Sequence, residues 1–289
     1  MVENYSELDL KELTTLAEKG DAHAQYLLGN KYLDGEDVEQ SYEKAVYWYT
    51  KSAEQGDNKG LCNLGYMYNF GHGVQKDATK AFYYYYLGAE KGSPVAQNNL
   101  ANMYKDGEGI SKNVYKAFWW ANKSAEQGFA NAQNFLGNLF YDGVGVDKNY
   151  TKAIEWYKKS AEQGNAHAQL SLGYMYNKGE GTTVDHLKGV EWYLKSAEQG
   201  NAVACCNLAN CYYDGVGVEK NYSIAIEWYK KSAEKGYARA QLDLGEMYED
   251  GLGVEKDIEN AIYWYTLSAE NGNSTAKEKL KKIKDANSN

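Results

Sequence analysis

The stretch "EWYKKSAEQGNAHAQLSLGYMYNKGEG", Glu155 to Gly181, returns with few changes as "EWYKKSAEKGYARAQLDLGEMYEDGLG" at Glu227 to Gly253, 72 residues later. Self-similarity at a fixed period marks a repeat architecture and changes what every other residue means. The glycine that closes "SAEQG" and its variants falls at Gly20, Gly56, Gly92, Gly128, Gly164, Gly200, Gly236 and Gly272, each step being 36 residues. The same step carries an alanine column from Ala17 to Ala269 and an aromatic column at Trp48, Tyr84, Trp120, Trp156, Trp192, Trp228 and Trp264. The two quoted copies are therefore two repeats apart.

Within a unit, apolar residues recur three and four apart, at Ala24, Leu28 and Tyr32 and again at Ala45, Trp48, Tyr49 and Ala53. That spacing predicts two helices, A over about 22–34 and B over about 42–55, repeated every 36 residues. Helix B is preceded by Ser41, Asp77, Asn113, Asn149, Asp185, Asn221 and Asp257, all able to accept from orphan amide groups. Helix A opens at Asp21, Asp57, Ser93, Asn165, Asn201 and Asn273, with Phe129 and Tyr237 as departures. Pro94, the only proline, stands at a first helical position, where its missing donor costs nothing.

A helix pair this small cannot bury its apolar stripe alone, so neighbouring pairs must stack into one continuous core. Seven pairs start at residues 21, 57, 93, 129, 165, 201 and 237, filling 21–272, with a capping half-repeat at 1–20 and a capping helix at 273–289. Glu12 in the Trp48 column, and Lys281 and Lys284 in the Gly29 and Tyr32 columns, suit polar outer faces at the ends. The unbroken register leads to the expectation of one elongated all-α domain without a linker.

Net charge is -9, and no basic stripe exists to release counterions, which argues against nucleic acid as a partner. No apolar run approaches the ~20 residues of a membrane span. The opening "MVENYSELDLKEL" lacks the features of a signal peptide. The chain as given is expected to be a soluble cytoplasmic monomer, or a periplasmic or secreted one if a leader has been removed.

The pattern A-x-A-Q-x-x-L-G-x-M-Y-x-x-G-x-G-V is carried by Ala166, Ala168, Gln169, Leu172, Gly173, Met175 and Tyr176. K-A-x-x-W-Y-x-K-S-A-E-x-G is carried by Lys152, Ala153, Trp156, Tyr157, Ser160, Ala161 and Gly164. Together they resemble the Sel-1-like repeat, a relative of the tetratricopeptide repeat. The resemblance implies a right-handed α-α superhelical solenoid with A helices on the concave side, acting as an adaptor. Local departures are Asp37 for the second loop glycine of the first repeat, Thr182 for a loop valine and Gly189 for the helix-B alanine.

Chemistry is sparse. A secreted, cysteine-rich branch of the family places bridged cysteines eight positions apart. Here Cys62 and Cys206 hold the second position while Glu54 and Glu198 hold the first. That branch's association with penicillin binding and weak β-lactamase activity carries over only as an analogy to a hydrolase. Cys205, Cys206 and Cys211 point to different sides of one helix, and no two of the four histidines stand three or four apart, so no metal ligands, catalytic residues or cofactor are expected. Asn149 and Asn221 head glycosylation-like triplets, but both read as helix caps. Glu155 with Lys159 and Glu227 with Lys231 have the favourable i,i+4 order for ion pairs.

With columns 24, 28 and 32 inward, the opposite stripe at 23, 27, 30 and 34 should face the groove. Along the array it reads Asn63, Tyr66, Asn99, Asn102, Phe135, Asn138, Ser171, Tyr174, Asn207, Asn210, Asp243 and Glu246. Asparagine offers a donor and an acceptor in one plane, and tyrosine adds rigid amphipathic area. The partner-binding candidates are accordingly Asn63, Tyr66, Asn99, Asn102, Asn138, Tyr174, Asn207, Asn210, Asp243 and Glu246, with the acids expected to favour Lys or Arg on a protein or peptide ligand. The leading reading is a protein-interaction scaffold, possible inhibitors or immunity partners included; the alternatives are the hydrolase and an architectural assembly module.

Overall fold

The computed structural model describes residues 5–287. Residues 1–4 and 288–289 of the expected terminal caps lie outside the described residues. Among those described are sixteen α-helices, one 3-10 turn at Tyr5–Glu7 and no strand, arranged as an all-helical solenoid of 36-residue helix pairs. The chain divides into two compact units, Met1–Lys148 and Asn149–Asn289.

Unit 1 holds α1 (Leu10–Glu18), the pairs α2 (Ala22–Asp34) and α3 (Tyr42–Glu54), α4 (Asn58–Phe70) and α5 (Ala78–Glu90), α6 (Pro94–Asp106) and α7 (Val114–Glu126), then α8 (Ala130–Asp142). Unit 2 holds α9 (Tyr150–Glu162), then α10 (Ala166–Lys178) with α11 (His186–Glu198), α12 (Ala202–Asp214) with α13 (Tyr222–Glu234), α14 (Ala238–Asp250) with α15 (Ile258–Glu270), and α16 (Ser274–Asn287). Each B-helix cap predicted from sequence accepts a bond from the backbone N–H three residues on. Phe129 and Tyr237 supply no such bond.

The fully buried ring column is the tyrosine one residue beyond the tryptophan column. Tyr49, Tyr85, Tyr157, Tyr193, Tyr229 and Tyr265 are buried, whereas Trp48, Tyr84, Trp156, Trp192, Trp228 and Trp264 are half-buried. The reason is a long-range fit. A methyl group on Gly29 would lie 2.5 Å from the Tyr49 ring, and one on Gly65 would lie 2.9 Å from Tyr85. In the third repeat Ala101 and Ala121 replace glycine and tyrosine together and Trp120 becomes the buried ring, while in the sixth Ala209 stands at the glycine position with Tyr229 still buried.

Buried amides tie the pairs. Gln25 Nε2 donates to the Ala17 carbonyl at 2.9 Å and its Oε1 accepts from Gln55 at 2.7 Å. Gln97 with Gln127, Gln169 with Gln199 and Gln241 with Asn271 repeat the arrangement. Where Leu61 and Cys205 replace the helix-A glutamine, Lys91 and Lys235 stand at the Gln55 position.

The departures from the pattern have local explanations. Asp37 takes φ 62°, the one non-glycine residue with positive φ among those described, and Lys31 Nζ holds its carboxylate at 2.9 Å. The connection from Gly181 to Gly189 keeps the loop form, with Gly179 and Gly181 at φ 71° and 70° and Asp185 capping α11. A side chain at Gly189 would collide with the Asn177 amide that fills its place. The expected Glu155–Lys159 and Glu227–Lys231 ion pairs are replaced, because Lys159 lies 4.0 Å from the centre of the Trp156 ring and Lys231 3.8 Å from that of Trp228. Among the described residues, no helix is long and apolar enough to cross a membrane.

Candidate functional site

In unit 1 the A helices touch each other directly, α2 on α4 and α6 on α8, more extensively than any two B helices do. The stripe chosen from sequence runs along this A side, and the buried tyrosines reach it from below. Tyr49 donates its hydroxyl to Asn30 Oδ1 at 2.8 Å, and Asn63 Nδ2 donates to the same oxygen at 3.0 Å. The Asn30 amide group and the Asn63 carbonyl are thereby turned away from that contact. Burial raises the Tyr85 phenol, partly offset by a hydrogen bond with Asn99. Asn102 Nδ2 donates to the Asn98 carbonyl at 3.0 Å, so its Oδ1 takes no part in that bond. Asn138 is half-buried and Tyr66 is exposed.

Unit 2 repeats the design. Tyr229 donates to Asn210 Oδ1 at 2.5 Å. Burial raises the Tyr193 phenol, against hydrogen bonds with Asn177 and Asn207. A recess of about 240 Å³ opens here, lined by Asn177, Lys178, His186, Asn207, Asn210 and Asp214 beside Tyr193. Asn177 is placed by His186 Nδ1 at 2.8 Å and by its bond to the Gly173 carbonyl at 3.1 Å. Tyr174 is exposed on the same helix, α10.

The acidic end differs from the sequence expectation. Asp243 is buried, 7% exposed, with both carboxylate oxygens held by Arg239 Nε at 2.8 and 3.0 Å. Burial pushes its carboxyl up, and Arg239 opposes that shift. Glu246 pairs with Lys279 at 3.3 Å, and Glu249 meets the same lysine at 2.7 Å while accepting from Tyr265 at 2.5 Å. Burial works against ionisation of Glu249, yet Lys279 and Tyr265 outweigh it and hold its carboxyl below its usual range. Asp243 and Glu246 are thus met by cations of the protein itself. Lys279 stands two and one periods beyond Asn207 and Asp243, so its place was readable from the register. The tyrosine anchors were not proposed from sequence, although a tyrosine follows nearly every residue of the tryptophan column.

The four cysteines are buried free thiols. Burial pushes Cys206 up to about 12 and Cys211 up to about 11, which disfavours the thiolate a nucleophile requires. Among the described residues, no group of three or more His, Cys, Asp or Glu side chains could hold a metal ion.

Stacked helix pairs presenting a ladder of amides define a helical-repeat scaffold of the tetratricopeptide-like class. The Sel1 repeat pattern matches residues 22–57, 58–93, 94–129, 130–165, 166–201, 202–237 and 238–273, and the chain belongs to the Sel1 repeat family. No match was found among curated proteins. Among solved structures, the chain is 31% identical to a Sel1 repeat protein from Oxalobacter formigenes, at a TM-score of 0.76, with 94% of this chain and 79% of that one covered. It is 35% identical, at a TM-score of 0.71, to a protective antigen of uropathogenic Escherichia coli displaying an SLR fold, with 96% and 67% covered. An immunity protein from Pseudomonas aeruginosa matches at 20% identity and a TM-score of 0.50, covering 74% and 80%, and shows the fold alone. Sel1 repeat proteins are generally protein-interaction scaffolds.

Proposed function

We propose that the protein is a scaffold that holds a segment of a partner protein against its A helices. The contacts in unit 1 are Asn63, Tyr66, Asn99, Asn102 and Asn138, and those in unit 2 are Tyr174, Asn207 and Asn210. The observation that carries this reading is the anchoring of the amides. Tyr49 on Asn30 and Tyr229 on Asn210 satisfy one half of a carboxamide from inside the core, so the other half is held in place for a ligand. Amide groups fixed in this way pair with a peptide backbone whatever its side chains. Each bond contributes about 1 kcal/mol net, so a handful gives affinities around micromolar once the ligand's ordering is subtracted. Asp243 is withdrawn from the contact set because it is buried on Arg239.

The test is affinity capture from lysate, read by mass spectrometry, with variants at positions that do not anchor the core. Tyr66→Ala with Asn102→Glu addresses unit 1, and Tyr174→Ala addresses unit 2. A protein recovered by the wild type and lost with at least one variant of unchanged melting temperature supports the proposal. Equal recovery by all of them overturns it. No observation favours the hydrolase reading.

A further inference from the structure

One group of rings in unit 1 breaks the pattern of the rest. The position just before the loop glycine is Asp34, Asp106, Asp142, Asp214 and Asp250 in five repeats and Lys178 in a sixth, but Phe70 in the second. Phe70 is 55% exposed. It lies 4.6 Å from Tyr66 and 6.0 Å from His72, and His72 stacks on Tyr42 at 5.0 Å. Four rings from the start of α3, the end of α4 and the loop after it therefore meet at the surface.

Elsewhere in this unit the protein covers its own rings with lysines. Lys44 lies over Tyr32, Lys59 over Tyr26, Lys80 over Tyr68 and Lys116 over Tyr104, at 5.0 to 5.4 Å. Among the described residues, no cation lies over Tyr42, Tyr66 or Phe70. Tyr83 and Tyr115 share that state, but they stand on B helices without an exposed cluster. Packed helices lie about 8–10 Å apart and α2 touches α4, so the exposed carboxylate of Asp34 stands about one helix spacing from Phe70, whereas Asp106 on α6 is paired with Lys105 at 3.4 Å. Asp34 has no ion pair among the described residues, since Lys31 is taken by Glu36 and Asp37. Ring faces attract a cation through their quadrupole, and the neighbouring Asp34 carboxylate adds charge of the complementary sign. The unit as a whole has 20 acidic against 14 basic side chains.

We infer that the Tyr42–Tyr66–Phe70–His72 cluster is a subsite for a cationic side chain, an arginine guanidinium or lysine ammonium, of a partner segment lying on the A helices of unit 1. The subsite rests on the scaffold reading above and supplies its selectivity. Cation preference belongs here and not at Asp243 and Glu246, which Arg239 and Lys279 already occupy.

The probe is N-acetyl-arginine amide, titrated into the labelled full chain while NMR follows the aromatic ring signals. Saturable shifts of the Tyr66, Phe70 and His72 rings are expected, with a Kd on the order of millimolar for so small a fragment. N-acetyl-citrulline amide, of the same shape without the charge, should bind about fivefold more weakly, and Phe70→Leu should weaken the arginine probe about threefold. If Phe70→Leu disturbs folding, Tyr66→Leu tests the same point with the same expected loss. Equal binding of the two probes, no saturable shift on these rings, or wild-type affinity in a folded ring variant overturns the subsite. The fragment needs no partner, so its failure leaves the capture result standing. Equal capture by all scaffold variants, with fragment binding intact, would sink the broader reading alone.

Discussion

In unit 1 the helix α4 ends in exposed rings with no cation of the protein above them, whereas in unit 2 two acids of the stripe, Asp243 and Glu246, are met from within. Arg239 holds Asp243, and Lys279 of α16 reaches both Glu246 and Glu249. As strings, the two halves of the stripe are similar mixtures of Asn and Tyr, with acids added at one end. The chemistry each presents is decided by what the next turn or the next helix sends across to it. A carboxylate in a stripe is a recognition element only when no internal partner has reached it first.

The largest test of this comparison concerns what lies beneath both stripes. Tyr193→Ala should cost about 3–5 kcal/mol in denaturant unfolding, because its ring fills the space over Gly173. Trp192→Ala, at a half-buried neighbour, should cost only about 1–2 kcal/mol. Equal losses would mean that the buried column has been assigned to the wrong ring.

A smaller effect isolates the anchor from the packing. Tyr229→Phe keeps the ring and removes the hydroxyl bound to Asn210, at an expected cost of about 1–2 kcal/mol. Tyr49→Phe in unit 1 should cost a similar amount through Asn30. A neutral result at either position would break the claim that both units fix their amides by the same device.

The smallest effect is the pH dependence of the acidic end. The folded carboxyl of Glu249 lies below its usual range, so the stability it lends is present above an unfolded value of about 4.3 and is lost as pH falls through the lower folded value. Lys279→Met should therefore flatten the acid limb of the stability curve below about pH 4.3, by about 0.5–1 kcal/mol at low salt. An unchanged acid limb would show that the lysine does not neutralise this end.

Much of the fold was legible because it is local and repeated. The period, the Asn, Asp and Ser caps and the glycine ends of the A helices place α2 and α3 within one residue of their observed bounds. The buried ring column was not legible, because Trp and Tyr are adjacent and apolar and the small residue that the buried tyrosine covers, glycine or Ala209, lies about twenty residues away. The candidate stripe was legible as a face of the A helices, but the state of its members was not. Asp243 and Asn207 share a column, yet an arginine one turn earlier on α14 draws Asp243 out of the solvent. Phe70 was visible as an exception to an aspartate column, but its exposure and its ring partners come from folding.

The buried glutamines carry a lesson for rebuilding the protein. Bonds reaching back to the preceding pair end on the main-chain carbonyls of Ala17, Ala89, Ala161 and Ala233, which any sequence supplies. Bonds between matched side chains, such as Gln97 with Gln127, stay inside one 36-residue module. Nature has exchanged both members together, leaving Leu61 with Lys91 and Cys205 with Lys235. For these amides, whole modules cut at the closing glycine are the natural currency for shuffling, while chimeras joined between the two helices of a module would strand one half of each matched pair.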